Sequence, residues 1–125
     1  MIVSLLPNRA KATPASAPEY FEGSVRMETL VSAGGEGGLE LLAVFFENGA
    51  RTIPHVHSTD QVLLVTEGTC VLAGLDQHRK LVAGESAFIP AGLWHWHGAA
   101  PGMSMCHISI RKPGPTDWGV PKHAW

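Results

Sequence analysis

The chain has no basic stripe, no long apolar run and very little cysteine. Its nine lysines and arginines are scattered through 125 residues, with only Arg79-Lys80 and Arg111-Lys112 adjacent, and the formal net charge is −2. Proteins that grip nucleic acid need a basic patch against the phosphates, so that class is set aside. No apolar stretch approaches the ~20 residues of a membrane helix. Met1 to Leu6 is apolar, but Arg9 and Lys11 follow it rather than precede it, the wrong order for a secretory leader. A soluble, cytoplasmic protein is expected. The two cysteines, Cys70 and Cys106, make no Cys-x-x-Cys pair and read as buried thiols rather than a disulfide. Charged residues are 16% and hydrophobic residues 45% of the chain, which suits one globular domain of this length.

No segment carries a convincing helical period. Short β-type runs follow one another instead: Val25–Val31, Leu39–Glu47, Thr52–His57, Gln61–Glu67, Thr69–Leu75, Ala87–Pro90, Trp94–Gly98 and Met103–Ile110. Turn residues bound them, as in Gly34-Gly35, Asn48-Gly49, Glu67-Gly68 and Pro101-Gly102. That punctuation predicts an all-β sandwich or barrel. Three prolines within residues 7–19 make residues 1–24 an extended arm, residues 25–112 form the barrel, and residues 113–125 are expected to be an irregular tail. In Gln61–Thr66 both strand faces are apolar, so the strand is covered on both sides.

What the chain does have is histidine. Five of its seven histidines are His55 and His57, His95 and His97, and His107. Imidazole is the commonest protein ligand for transition metals, and residues two apart on a strand face the same way, so each His-x-His pair aims both rings in one direction. His107 shares a strand face with Met103, Met105 and Ser109. His78 and His123 read as surface or tail residues. Locally hydrogen-bonded core histidines are the alternative, weakened by the spacing of the pairs to other motif residues.

Those spacings are Gly49-x5-His55-x-His57-x3-Gln61-x6-Gly68 and Gly84-x5-Pro90-x-Gly92-x2-His95. They resemble the two signatures of the cupins, a resemblance that implies a double-stranded β-helix, or jelly-roll barrel. The usual glutamate is Gln61 here, and Ala99 stands where an asparagine often closes the second motif. Gly49-Ala50-Arg51-Thr52, Gln61, Val65-Thr66, His95-Trp96-His97-Gly98-Ala99, His107-Ile108 and the stretch Tyr20 to Arg26 are similar to one small-cupin subgroup. It includes the carboxymuconolactone-decarboxylase-associated cupins and the manganese-dependent hydroxynitrile lyases of bacteria. The match lapses at Pro54, at Leu93-Trp94 and after Pro113, positions that shape a pocket.

The resemblance implies a metal held by His55, His57, Gln61 and His95, with His97 and His107 beside it as acid/base groups. Such a mixed N/O set suits Mn or Fe, with Zn, Ni or Co also compatible. All four ligands are neutral, so the ion keeps its full charge as a Lewis acid, and an octahedral ion retains two open positions. A substrate pocket is expected from Phe45, Thr52, Leu63, Val65, Phe88, Trp94, Met103 and Met105, with Phe46 in the same hydrophobic wall. Trp96 reads as packing and Arg51 as a fold salt bridge. The expected activity is Lewis-acid and histidine chemistry on a small hydroxyl- or carbonyl-bearing molecule, hydroxynitrile-lyase-like. An Fe- or Mn-dependent dioxygenase and a non-catalytic small-molecule-binding barrel are the alternatives. The partners expected are a small-molecule substrate and a second copy of the chain, in a homodimer or homotetramer, with Trp118 and Trp125 as adhesive elements outside the barrel.

Overall fold

The computed structural model describes residues 1–34 and 37–118; Gly35, Gly119, Pro121, His123 and Trp125 lie outside the described residues. Thirteen strands follow in chain order: β1 (Thr13–Pro14), β2 (Phe21–Glu22), β3 (Val25–Ser32), β4 (Glu40–Phe46), β5 (Arg51–Thr52), β6 (Val56–His57), β7 (Gln61–Glu67), β8 (Thr69–Ala73), β9 (His78–Val82), β10 (Ser86–Ile89), β11 (Trp96–Ala99), β12 (Met105–Arg111) and β13 (Thr116–Asp117). They form a six-stranded sheet in the order β1-β3-β4-β12-β7-β10, a five-stranded sheet in the order β2-β5-β11-β8-β9, and the small pair β13-β6. All pairings are antiparallel. This is the all-β architecture that the turn punctuation predicts and the jelly roll that the cupin resemblance implies.

The main core lies between the sheets. Val25, Val44, Phe46, Val65 and Met105 from the larger sheet meet Cys70 and Ala99 from the smaller one and Ala50, just before β5. A second cluster of Ala12, Ala43, Phe45 and Cys106 covers the outer face of the larger sheet. The N-terminal arm supplies its lid: Arg9 lies 4.9 Å over the Phe45 ring and pairs with Glu47 at 2.8 Å and Glu67 at 2.9 Å. Adjacent Phe45 and Phe46 therefore serve opposite faces, as strand alternation requires. Both cysteines are free and buried, one in each cluster. No helix among the described residues is long and apolar enough to cross a membrane.

Three differences from the sequence reading have local causes. Strand β9 was not expected, because its only half-buried residue is Leu81 and it presents His78, Arg79 and Lys80 to solvent; charges of this kind are usual on an edge strand. The arm is woven into the fold, since β1 pairs with β3 and β2 with β5. The tail is not irregular throughout: Thr116 and Asp117 pair with His57 and Val56.

Gly68 closes the turn between β7 and β8 with φ +73°, and a Cβ there would run into the Ser104 carbonyl and lie 3.1 Å from the Met105 Cα. Both obstacles are backbone and cannot swing aside. Gly68→Ala is expected to destabilise the fold by about 2–4 kcal/mol, summing left-handed strain and overpacking. A urea titration that leaves the midpoint unchanged would contradict this.

Candidate metal centre

The two histidine motifs meet through their backbones. The His55 N–H donates to the His95 carbonyl at 2.9 Å and the His95 N–H donates back at 3.0 Å, an isolated antiparallel bridge. Around it the side chains repeat one arrangement. His55 Nδ1–H donates to the Ile53 carbonyl at 2.9 Å, and His95 Nδ1–H to the Leu93 carbonyl at 2.8 Å. A carbonyl can only accept, so both Nδ1 atoms carry the proton, and in the neutral ring the lone pair is left on Nε2. The two rings lie 4.4 Å apart.

His57, on β6, shares a hydrogen bond between its Nδ1 and the Thr116 hydroxyl at 2.9 Å. Gln61, the first residue of β7, donates from Nε2 to Ser109 Oγ at 2.8 Å on β12. These contacts leave His57 Nε2, Gln61 Oε1 and His95 Nε2 buried without a hydrogen-bond partner. Each orphaned buried polar atom costs roughly 1–3 kcal/mol. Three orphaned polar atoms on side chains already anchored from behind, Gln61 Oε1 and His95 Nε2 both acceptors and His57 Nε2 one when the Thr116 hydroxyl accepts from Nδ1, form a cradle suited to a cation. A second grouping overlaps it: ring nitrogens of His55, His95 and His97 all lie within 4.8 Å of one another. The residues present therefore fit a divalent metal, with no carboxylate among the donors.

His97 and His107 form a separate unit. His107 Nε2 and His97 Nδ1 are hydrogen-bonded at 2.9 Å, one donating and the other accepting, and His107 Nδ1 has no partner outside its own residue. Phe46 packs against both, at 5.9 Å and 5.2 Å between ring centroids. Thr52 Oγ1 accepts from the His97 backbone N–H at 3.2 Å and holds the strand in place.

All five imidazoles are held neutral. Burial is the largest cause in each case, pushing His57 and His107 down to about 4 and drawing His55, His95 and His97 below the ordinary value. Mutual repulsion adds to it: His95 weighs on His55, and His107 on His97. Neutral imidazole is the form that ligates metal or accepts a proton.

The rings of His55, His57, His97 and His107 open onto a cavity of about 190 Å³, lined also by Tyr20, Leu42, Val44, Phe46, Thr52 and Arg111, with His95 packed behind them. Its size is below the ~300–1,000 Å³ of pockets for drug-sized ligands, so it takes a small molecule. Trp118 roofs it, stacked 4.2 Å from the His55 ring and 4.4 Å from Tyr20.

The expected pocket wall needs correction. Thr52 lines the cavity, but Phe45 faces the outer cluster under the arm. Val65 and Met105 are packed into the core, and Leu63, fully buried, lies off the cavity wall. Phe88, 64% exposed, and Trp94 line a second, outer depression of about 370 Å³, which meets the histidine cluster at His95. Met103 is 45% exposed. Trp118, expected outside the barrel, is part of the site. Arg51 makes its ion pair with Glu22 at 2.9 Å and lies over Trp96, as a fold contact. Sequence reasoning missed Tyr20, Thr116, Trp118 and Arg111. Only Arg111 left a signal, since it continues the inward phase of His107 and Ser109.

Relatives share this architecture. The chain is 33% identical over 105 residues to an (R)-mandelonitrile lyase of Granulicella tundricola, covering 82% of this chain and 79% of that protein. A cupin-like protein of Thermotoga maritima superposes with a TM-score of 0.79 at 34% identity, covering 86% of this chain and 84% of that one. A polyketide cyclase from Streptomyces resistomycificus superposes with a TM-score of 0.73 over 91% of this chain and 84% of its own, but at 20% identity it shares the fold alone. The cupin domain model matches residues 42–109, a span that runs from the cavity wall on β4 through both histidine motifs to the Ser109 that holds Gln61, and the chain belongs to the cupin family.

Proposed function

We propose that the protein is a metal-dependent cupin enzyme that moves a proton on a small hydroxyl- or carbonyl-bearing substrate, as a hydroxynitrile lyase does. The observation that carries this reading is the meeting of unpartnered His57 Nε2 and Gln61 Oε1, on the wall of one small cavity, with unpartnered His95 Nε2, whose ring lies 5.5 Å from that of His57 and 4.4 Å from that of His55. With the Nε2 of His55, these are the proposed metal ligands. His97, whose ring nitrogen lies within 4.8 Å of those of His55 and His95, is assigned to proton handling instead, because its bonded partner at 2.9 Å is a second imidazole, His107. A divalent ion held by these four neutral donors supplies Lewis acidity undiminished by ligand charge, and Mn or Fe suits the donor set.

The protein's own part follows from the geometry. Phe46 and Trp118 exclude water from two sides of the cavity. The His97–His107 pair takes the substrate hydroxyl proton, and the hydrogen bond between the rings spreads the resulting charge over both. For a cyanohydrin, the carbonyl forms as the carbon–cyanide bond breaks, and the pair returns the proton to cyanide, leaving an aldehyde and hydrogen cyanide. The relative named an (R)-mandelonitrile lyase supports this choice of reaction.

The test combines elemental analysis of the purified protein with benzaldehyde release from (R)-mandelonitrile. About one ion per chain and release that stops on chelation are expected; a metal-free protein with full cleavage activity would overturn the reading. The outer support is testable too. Thr116→Val removes the partner of His57 Nδ1 and is expected to weaken metal affinity roughly 10- to 100-fold while leaving the fold intact. Competition with a chromophoric chelator measures it, and an unchanged affinity would exclude His57 as a ligand oriented by Thr116.

A further inference from the structure

Arg111 closes β12 inside the same cavity. It stands in register opposite Gln61 of β7 on one side and Glu40 of β4 on the other. Its Nη1 is buried with no hydrogen-bond partner. Among the described residues no ion pair reaches it: the arginine pairs are those of Arg9 and Arg51, and Glu40 lies beyond pairing distance. Its charge is felt at the cradle, where it helps hold His57 and His55 neutral. A guanidinium with a desolvated, unused donor is costly, and beside a divalent ion in a neutral cage it is costlier still. An anionic group arriving with the substrate offsets both terms, and the planar fork of arginine suits a carboxylate.

We propose that Arg111 is a carboxylate-binding residue, so that the cavity takes a small hydroxy- or oxo-acid anion, its oxygen toward the histidine–glutamine cradle and its carboxylate on the guanidinium. This rests on the reading of the cavity as a substrate site and names the substrate class. Arg111 then favours the anion over neutral molecules of the same shape, because only the anion satisfies its open donor, and (R)-mandelonitrile, which lacks the carboxylate, is expected to be turned over with a high KM.

Mandelate and mandelamide, which differ in the carboxylate alone, are the probes. Calorimetric titration is run on metal-loaded and metal-stripped protein, for wild type, Arg111→Gln and Arg111→Lys, with metal content measured on every sample. Stripped protein removes the metal's own taste for carboxylates. There, wild type is expected to prefer mandelate roughly 10- to 100-fold, the range of a charge-assisted hydrogen bond. Arg111→Lys keeps part of the preference, and Arg111→Gln loses it while still loading metal. Equal binding of the two probes by wild type overturns the inference, as does a preference that survives in Arg111→Gln. A wild type that holds no metal but keeps an Arg111-dependent preference would sink the metal reading and leave the carboxylate site standing.

Discussion

His95→Ala is expected to keep its barrel and lose its metal, whereas His107→Ala keeps the metal and loses the reaction. The backbone bridge between His55 and His95 does not depend on the His95 side chain, so the strands stay paired when the ring is cut away. The ring, however, supplies one of the three orphaned polar atoms and is fixed by the Leu93 carbonyl. Metal content after dialysis should fall at least roughly tenfold, in line with the loss of a supported ligand, and mandelonitrile cleavage should fall to background. His107 touches no proposed ligand through a hydrogen bond; its partner is His97 at 2.9 Å. Its removal should leave metal content near that of wild type and lower kcat by about 10²–10⁴, the range for a lost acid/base group. Stoichiometric metal in His95→Ala, or unaltered kcat in His107→Ala, would each refute the assignment of that residue.

Acid is expected to unfold the metal-free protein well before it titrates an ordinary carboxylate-stabilised fold. His107 is pushed down to about 4 by burial, while an imidazole in the unfolded chain titrates near 6.5. Its neutral ring contributes its full stability above pH 6.5. As the pH falls from 6.5 toward 4 the unfolded chain takes up a proton that the folded chain refuses, and stability drops by about 3 kcal/mol for this ring alone. His57, nearer the mouth, shifts to about the same value and contributes less; His55, His95 and His97 shift in the same direction. Against a total of about 5–15 kcal/mol for a domain, the combined loss is enough to unfold it. Bound metal should move the transition to lower pH, because protons must then displace the ion. Urea midpoints of stripped and loaded protein measured between pH 7 and 4 check both statements. Coincident, flat profiles would contradict them.

The histidine spacing was legible because chemistry and strand geometry agree: two rings two residues apart face one way, and the structure gathers both pairs into one cluster of rings. The positions of the strands in the barrel's middle were legible for the same reason, from alternation bounded by glycine turns. The pocket wall was not. Phe45 and Phe46 are equally apolar, and the sequence alone does not say that the N-terminal arm folds over one of them while the histidines lie under the other. Strand β9 shows almost no buried residue and so no alternation. Thr116 and Trp118 reach the site through a pairing with Val56–His57 that spans half the chain, and no local pattern announces such a contact. Arg111 reads in the sequence as the polar end of a strand, and only the register against Gln61 shows what it faces.

The roof over the cavity makes passage a matter of timing. The bowl is built on the two larger sheets, whereas its cover, Thr116 and Trp118, is held by the two-residue pairing of β13 with β6 and by an indole stacked on His55 and Tyr20. An ion or substrate that crosses the mouth would have to displace that indole. Exchange at the site would then run at the pace of a short strand pair opening, however tightly the bowl holds its contents.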